Sequence, residues 1–160
     1  MTPWRERSQT QAAMLNPALL AIITATAAIE YQRADGEAMP WALSFLVAPF
    51  VLHRGTRRAL PRTTRTHLTS WISNHPVEHA GFAQRAQSLT GPVREGLRFG
   101  FANDVLRVDE KGRLTGFLAR SQPPSGGDVA DLVAKSGLVG KWLTKVDQPA
   151  TAFILLGVAP

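Results

Sequence analysis

One motif in the sequence has the residue types and spacing of a catalytic metal site: His75, Glu78 and His79 form the pattern H-x-x-E-H. In that pattern two histidines hold zinc and the glutamate acts as a base. Pro76 favours a helix that begins after His75, which takes His75 off the face that carries His79. Glu95 is the nearest candidate for a third ligand. We therefore expect a helix start without bound metal, and a zinc hydrolase is a rival hypothesis.

Other catalytic signatures are missing from the sequence. The segment from Gly137 to Trp142 has two residues between its glycines, whereas a phosphate-binding loop needs four, and Trp142 stands where a hydroxyl is required. Zero cysteines exclude a cysteine nucleophile, a thiolate zinc site and a disulfide framework. The sequence thus predicts a protein that is not an enzyme and holds no cofactor.

Arginine is concentrated in one short segment of the chain. Of the net charge of +6, residues 38–77 carry +5, and no acid lies between Glu37 and Glu78. The arginines of this segment are Arg54, Arg57, Arg58, Arg62 and Arg65. Arginine pairs bidentately with phosphate and carboxylate, so the segment suits double-stranded DNA or an acidic protein surface. A solvated basic face, or arginines bound to helix-end carbonyls, is the structural alternative.

The first half of the chain is predicted to be helical. Asn16 and Pro17 form a cap and a first-turn position for a helix that stops at Gly36. A second, apolar helix runs from Pro40 to about His53, and a basic connection over 56–61 follows it. A third helix is expected over 63–73 and a fourth from Pro76 to the break at Gly91 and Pro92.

Between residues 92 and 118 the pattern changes from the period of a helix to that of strands. Val93, Leu97 and Phe101 share one helix face, and Arg94 and Arg98 share another. Residues 105–108 and 113–117 then read as two strands around a turn that contains Gly112. If the hairpin is a wing, its candidate contact residues are Arg107, Lys111 and Arg113.

These elements predict a mainly helical α+β fold. A winged helix-turn-helix-like core with a short β-hairpin wing competes with a generic α+β domain. The predicted organisation is an N-terminal arm over 1–15, a core over 16–120, a linker over 121–127, and a helix plus strand over 128–160 packed on the same core. The apolar run over 17–29 has 13 residues, short of the roughly 20 that span a bilayer. We expect a cytoplasmic protein without a membrane segment.

A series of motifs runs from Asn16-Pro17-Ala18 and the Leu46–His53 stretch through Thr56–Pro61 to Arg94-Glu95-Gly96-Leu97 and the ending Gly157-Val158-x-Pro160. The order of these motifs resembles the middle component of three-component ABC-type bacterial defence systems, such as those of the Lamassu kind. The sequence departs from the expected pattern at Gly96, where alanine is expected, and at Ala159, where arginine is expected.

The resemblance implies a non-catalytic subunit that bridges an SMC-like ABC ATPase and an effector, often a nuclease, and that contacts DNA. The family offers no catalytic residues to carry over to this chain. The two strongly apolar helices favour a subunit that is more stable in its complex than alone. The alternative is a free-standing winged-helix transcription regulator that places Arg94 and Arg98 in the DNA groove.

Overall fold

The computed structural model describes residues 15–119 and 126–159, which form eight α-helices and a three-stranded antiparallel sheet. The helices are α1 (Pro17–Asp35), α2 (Ser44–Leu52), α3 (Arg54–Ala59), α4 (Leu68–Asn74), α5 (Pro76–Ala80), α6 (Phe82–Ala102), α7 (Gly127–Leu143) and α8 (Pro149–Leu155). The strands are β1 (Met39–Pro40), β2 (Leu106–Val108) and β3 (Arg113–Gly116). The predicted mainly helical α+β class is confirmed. Most of the predicted arm over 1–15 and of the linker over 121–127 lies outside the described residues.

Helix α1 forms the centre of the fold, and its predicted limits are confirmed. Its N-terminus is capped by Asn16, whose Oδ1 accepts a hydrogen bond of 2.9 Å from the Ala18 amide. Its C-terminus is closed by Gly36, whose φ of 88° is a left-handed conformation that glycine adopts without strain. Most side chains of α1 from Leu20 to Tyr31 are buried, and helices α6 and α7 and strand β3 pack against this helix.

Three glycines let these neighbours approach α1 closely. A Cβ atom at Gly140 of α7 would lie 2.1 Å from the Ala27 carbonyl oxygen, and one at Gly116 of β3 would lie 2.3 Å from that of Ala25. A Cβ atom at Gly96 of α6 would lie 2.6 Å from Leu20 Cβ. This contact gives a physical reason for the glycine that departs from the expected alanine.

The region after β1 differs from its predicted form in two respects. The apolar stretch begins with a 3₁₀ turn, Trp41–Leu43, before α2. The basic connection predicted over 56–61 is wrong, because residues 54–59 form helix α3. His53 caps α3 by accepting a hydrogen bond from the Thr56 amide, and histidine is not among the usual N-cap residues.

The break predicted at Gly91 and Pro92 is also wrong, because α6 continues through both residues. Proline inside a helix costs about 3 kcal/mol, and burial of Pro92 and Val93 in the core offsets that cost. The start of α6 lies at Phe82, since Gly81 separates it from the short helix α5. The third predicted helix is confirmed in part, as α4 begins at Leu68 and not at 63.

The predicted C-terminal strand is wrong, because its residues form α8. Pro149 occupies the first turn of this helix, where its missing amide hydrogen is not needed. Gly157, with a φ of 68°, ends the helical segment, and the Val158 amide donates back to the Phe153 carbonyl. An aliphatic run of this length does not distinguish strand from helix by periodicity alone.

The predicted hairpin is confirmed, with β2 pairing β3 and Val108 opposite Leu114. Strand β1 joins the other edge of β3, where Met39 lies opposite Leu114, so the order is β1-β3-β2. Five helices, α2 to α6, lie between β1 and the hairpin, where a helix-turn-helix has two. The winged-helix assignment stays a prediction.

Across residues 15–119 and 126–159, none of the helices combines the length and the apolarity that crossing a bilayer requires.

Candidate functional site

Four of the five arginines predicted as contacts form an exposed set, which we call the arginine surface: Arg54, Arg58, Arg62 and Arg65. The first two belong to α3 and the others to the loop that leads to α4. None of the four side chains makes a hydrogen bond or an ion pair with another residue in the described part of the chain. Within that part, their exposed guanidinium groups are open to an external anion.

Arg57 has a different environment. Its side chain is buried, and its Nε lies 2.8 Å from Asp131 Oδ2 of α7. Its Nη2 lies 3.5 Å from Asp128 Oδ1, and its Nη1 donates to the Val51 carbonyl at 2.7 Å. Arg57 thus links α3 to α7 and to the end of α2. Its bond to the Val51 carbonyl is the helix-end contact that the structural alternative predicted for the arginines. Arg57 is therefore not part of the arginine surface.

Two buried tryptophans hold the backbone beneath the arginine surface. The indole Nε1 of Trp71 donates to the Ala59 carbonyl at 2.8 Å, and that of Trp142 donates to the Thr66 carbonyl at 2.6 Å. Both rings pack edge-on against Phe50, at centroid distances of 5.6 and 5.5 Å. A loop with no regular structure is thereby fixed at both ends to the hydrophobic core.

A polar cluster secures the start of α3. Arg85 of α6 donates through Nη2 to Thr56 Oγ1 at 3.1 Å and to the Glu78 carbonyl at 2.6 Å. His53 Nδ1 accepts from the Thr56 amide at 3.1 Å, which requires that nitrogen to be unprotonated. Burial lowers the pKa of His53, and the charge of Arg85 lowers it further against the opposing effect of Glu78. The neutral imidazole that the cap needs is therefore the favoured form.

The remaining predicted contact residues lie on α6 and the hairpin. Arg94 and Arg98 are exposed, one helical turn apart. Arg107 is exposed, and its guanidinium carbon lies 4.7 Å from the centre of the Phe117 ring. Arg113 is half-buried and binds within the fold, with its Nη1 3.3 Å from both the Ala38 carbonyl and Glu37 Oε2. Lys111 is exposed at the tip of the turn.

Exposed apolar side chains lie near these cations in the sequence, and the sequence patterns had assigned only Phe101 among them to a helix face. The group consists of Phe99 and Phe101 at the end of α6, Val108 of β2, and Phe117 and Leu118 after β3, and we call this group of exposed residues the aromatic face. The hairpin joins the last turns of α6 through the Val105 amide, which donates to the Gly100 carbonyl. Phe101 was expected on the inner face with Val93 and Leu97, but it is 41% exposed. Exposed aromatic groups of this kind are typical of contact surfaces in assemblies.

The H-x-x-E-H residues do not converge on one point. His75 stacks on Trp71, and its Nδ1 lies 2.9 Å from the Trp71 carbonyl oxygen. His79 Nε2 lies 2.9 Å from the Leu155 carbonyl oxygen of α8. In the part of the chain that the structure describes, no three His, Cys, Asp or Glu side chains form a group that could hold a metal ion.

The glycine-containing segment from Gly137 to Trp142 lies in the middle of α7. Gly137 and Gly140 face α1, where a Cβ atom at Gly137 would lie 3.2 Å from Glu30 Cγ. Their role is close helix packing, which agrees with the rejection of a phosphate-binding loop from the spacing.

Comparison with known proteins identifies a family. The model of the family described as "ABC-three component (ABC-3C) system Middle Component 3" matches residues 4–160. No relative was found among curated proteins or among solved structures. The match confirms the resemblance drawn from the order of motifs. The chain belongs to the ABC-three component system Middle Component 3 family.

Proposed function

We propose that the protein is the non-catalytic bridging subunit of an antiviral or anti-plasmid defence complex. In this role it links an SMC-like ABC ATPase to an effector, often a nuclease, and contacts double-stranded DNA. Membership of the middle-component family supports a place within a multi-subunit system. The same match favours this role over a free-standing transcription regulator.

The observation that carries the bridging role is the presence of two exposed surfaces of different chemistry on different elements. The aromatic face belongs to the end of α6 and the hairpin, and the arginine surface belongs to α3 and the loop after it. An apolar surface loses water on contact with protein, whereas a cationic surface attracts polyanions. A subunit that contacts a protein partner and DNA at once needs such separate surfaces.

The arginine surface suits the phosphates of DNA. Its four guanidinium groups carry one sign of charge, and no acid interrupts the sequence between Glu37 and Glu78. Interfaces with folded proteins use complementary charges of both signs to fix register, while a phosphate backbone presents one sign alone. The anchored backbone presents the cations without a large ordering cost on binding.

The non-catalytic part of the proposal is supported by the histidines of the H-x-x-E-H motif. His75 and His79 contact backbone carbonyls that belong to different helices. We expect purified protein to contain no stoichiometric zinc by metal analysis. One zinc per chain that is lost in both His79→Ala and Glu78→Ala would contradict this expectation.

The bridging proposal is tested by co-expression with the ATPase and effector genes that neighbour this chain's gene. We expect a tagged ATPase to retain the effector only when this chain is present. Phe117→Asp, on the aromatic face, should release one of the two partners, whereas Val77→Asp, at a side chain that is 79% exposed and outside that face, should release neither. Retention of the effector without this chain would contradict bridging.

A further inference from the structure

A groove of about 900 Å³ lies between three segments of the chain. It is lined by Trp41 of the 3₁₀ turn and Phe45 of α2, by the first three turns of α6, and by α8 with the residues that follow it. The α6 residues 83, 87, 90 and 94 line it, and this spacing defines one face of a helix. At 1.5 Å per residue that face is roughly 16 Å long. The groove is therefore long enough for a helix of about three turns.

The lining of the groove is apolar with one cation. Arg94 is the only charged lining residue among those described, and the neutral side chains of Gln84, Gln87 and Thr90 lie along the same helix. Trp41 is 50% exposed and packs edge-to-face on Phe45 at a centroid distance of 5.7 Å. A half-exposed tryptophan that packs on a second aromatic ring, here Phe45, is the type of residue that contributes most of the binding energy in protein interfaces.

We propose that this groove binds an amphipathic helix of a partner subunit, with an apolar stripe against Trp41 and a carboxylate paired with Arg94. The proposal rests on the proposed function, because it takes the helix from a subunit of the same three-component system. Charge complementarity selects an acidic helix, since a single cation stands in an otherwise uncharged groove. An apolar groove of this length matches the mode in which a helix is recognised at positions i, i+3, i+4 and i+7.

The net charge of this chain disfavours a second copy of it as the acidic occupant of the groove. The chain carries a net charge of +6. The carboxylates Asp128 and Asp131, on the exposed start of α7, are engaged by Arg57 of the same chain. Glu30 of α1 is engaged by Lys141 and Arg33.

The occupant can be identified by photo-crosslinking in the assembled complex. A photoreactive amino acid at Gln87, which is exposed and lines the groove, should crosslink to one helical segment of a partner subunit that contains an acidic residue. The same amino acid at Ser88, the next residue on α6 and outside the groove lining, should not reach that segment. Mass spectrometry then gives the sequence of the captured segment.

Charge reversal gives an independent measurement. Arg94→Glu should weaken binding of that partner at least tenfold, and a lysine in place of the captured carboxylate should restore it. Trp41→Ala should weaken binding of the same partner by a similar factor. Arg98→Glu, one turn further along α6 and outside the groove, should leave it within twofold.

Several outcomes would overturn the inference. Crosslinks from Gln87 to a second copy of this chain, or to its residues 1–14, would assign the groove to those occupants. If Arg94→Glu and Arg98→Glu weakened binding of the partner equally, the inferred ion pair between Arg94 and a carboxylate of the partner would be wrong. If the Arg94→Glu and Trp41→Ala variants bound both partners as tightly as the wild-type chain, the groove proposal would be wrong and the bridging proposal would stand. Failure of the wild-type chain to bind either partner would overturn the proposed function and this inference together.

Discussion

The surroundings of α1 and the arginine surface are held in place by opposite means. Glycines of α7 and β3 bring these elements against the backbone of α1, and Gly96 of α6 packs against the Cβ atom of Leu20. Under the arginine surface the backbone forms a short helix and a loop, held by the side chains of Trp71, Trp142 and Arg57. Packing around α1 depends on glycines that lack a side chain, whereas the backbone under the arginine surface depends on hydrogen bonds from a few polar side-chain atoms.

Because of this difference, we expect substitutions around α1 to change stability and substitutions of the exposed arginines to change binding. Contacts to α1 use backbone and buried groups, so substitutions there change the free energy of unfolding. In the second region the anchors point inward, while Arg54, Arg58, Arg62 and Arg65 point to solvent. Substitution of an anchor and of its exposed neighbour should therefore give different phenotypes.

The largest effect is expected from Gly140→Ala. The new Cβ would overlap the Ala27 carbonyl oxygen, and α1 and α7 would have to move apart. We expect a loss of about 3 kcal/mol in the free energy of unfolding. The matched control is Gly137→Ala on the same helix, where the neighbour is the flexible Glu30 side chain and the change should stay within about 1 kcal/mol. Equal denaturation midpoints for the two variants would contradict the close-packing account.

A smaller effect is expected from Arg57→Ala. The substitution removes hydrogen bonds to Asp131 and to the Val51 carbonyl, at a cost of about 2 kcal/mol. Arg58→Ala, one residue later on α3, should change stability by less than about 0.5 kcal/mol because its side chain is exposed. Urea denaturation of both variants measures the contrast. If Arg58→Ala is the more destabilising of the two, the assignment of Arg57 to the fold and of Arg58 to the exposed surface is wrong.

The smallest effect concerns His53 and pH. Since the folded protein lowers the pKa of His53 below the ordinary 6.5, the unfolded chain takes up the proton first as pH falls. The stability contributed by the neutral cap is present above pH 6.5 and is lost as pH decreases from there toward the folded pKa. His53→Asn keeps an N-cap acceptor that does not titrate. We expect a shallower fall in melting temperature between pH 7 and 5 for this variant, and identical curves would exclude the effect.

The strongest local patterns predicted their elements well. Asn16, Pro17 and Gly36 mark both ends of α1, and the hairpin follows from its turn residues and alternating strands. The errors arose where tertiary contacts or an unusual cap outweigh the usual local preferences. Pro92 is accommodated because its helix packs on the core, and residues 54–59 become helical through the unusual cap of His53.

The candidate site was predicted in part. The sequence located the cluster of arginines. It could not show that Arg57 is buried and Arg58 exposed, because Arg57 is held by Asp128 and Asp131, more than 70 residues away. The groove was not predictable, since its lining joins Trp41, α6 and α8. A pattern within one element carries no signal for a surface built from three.

The most direct test of the account replaces Arg54, Arg58, Arg62 and Arg65 by glutamine together. The melting temperature and the binding of both partners should match wild type, because these side chains do not hold the fold. The DNA affinity of the assembled complex should fall on every sequence, and its dependence on log salt should lose up to about four units of slope, near one for each phosphate contact. An unchanged slope together with lost subunits would contradict the account and assign the arginine surface to an acidic protein partner.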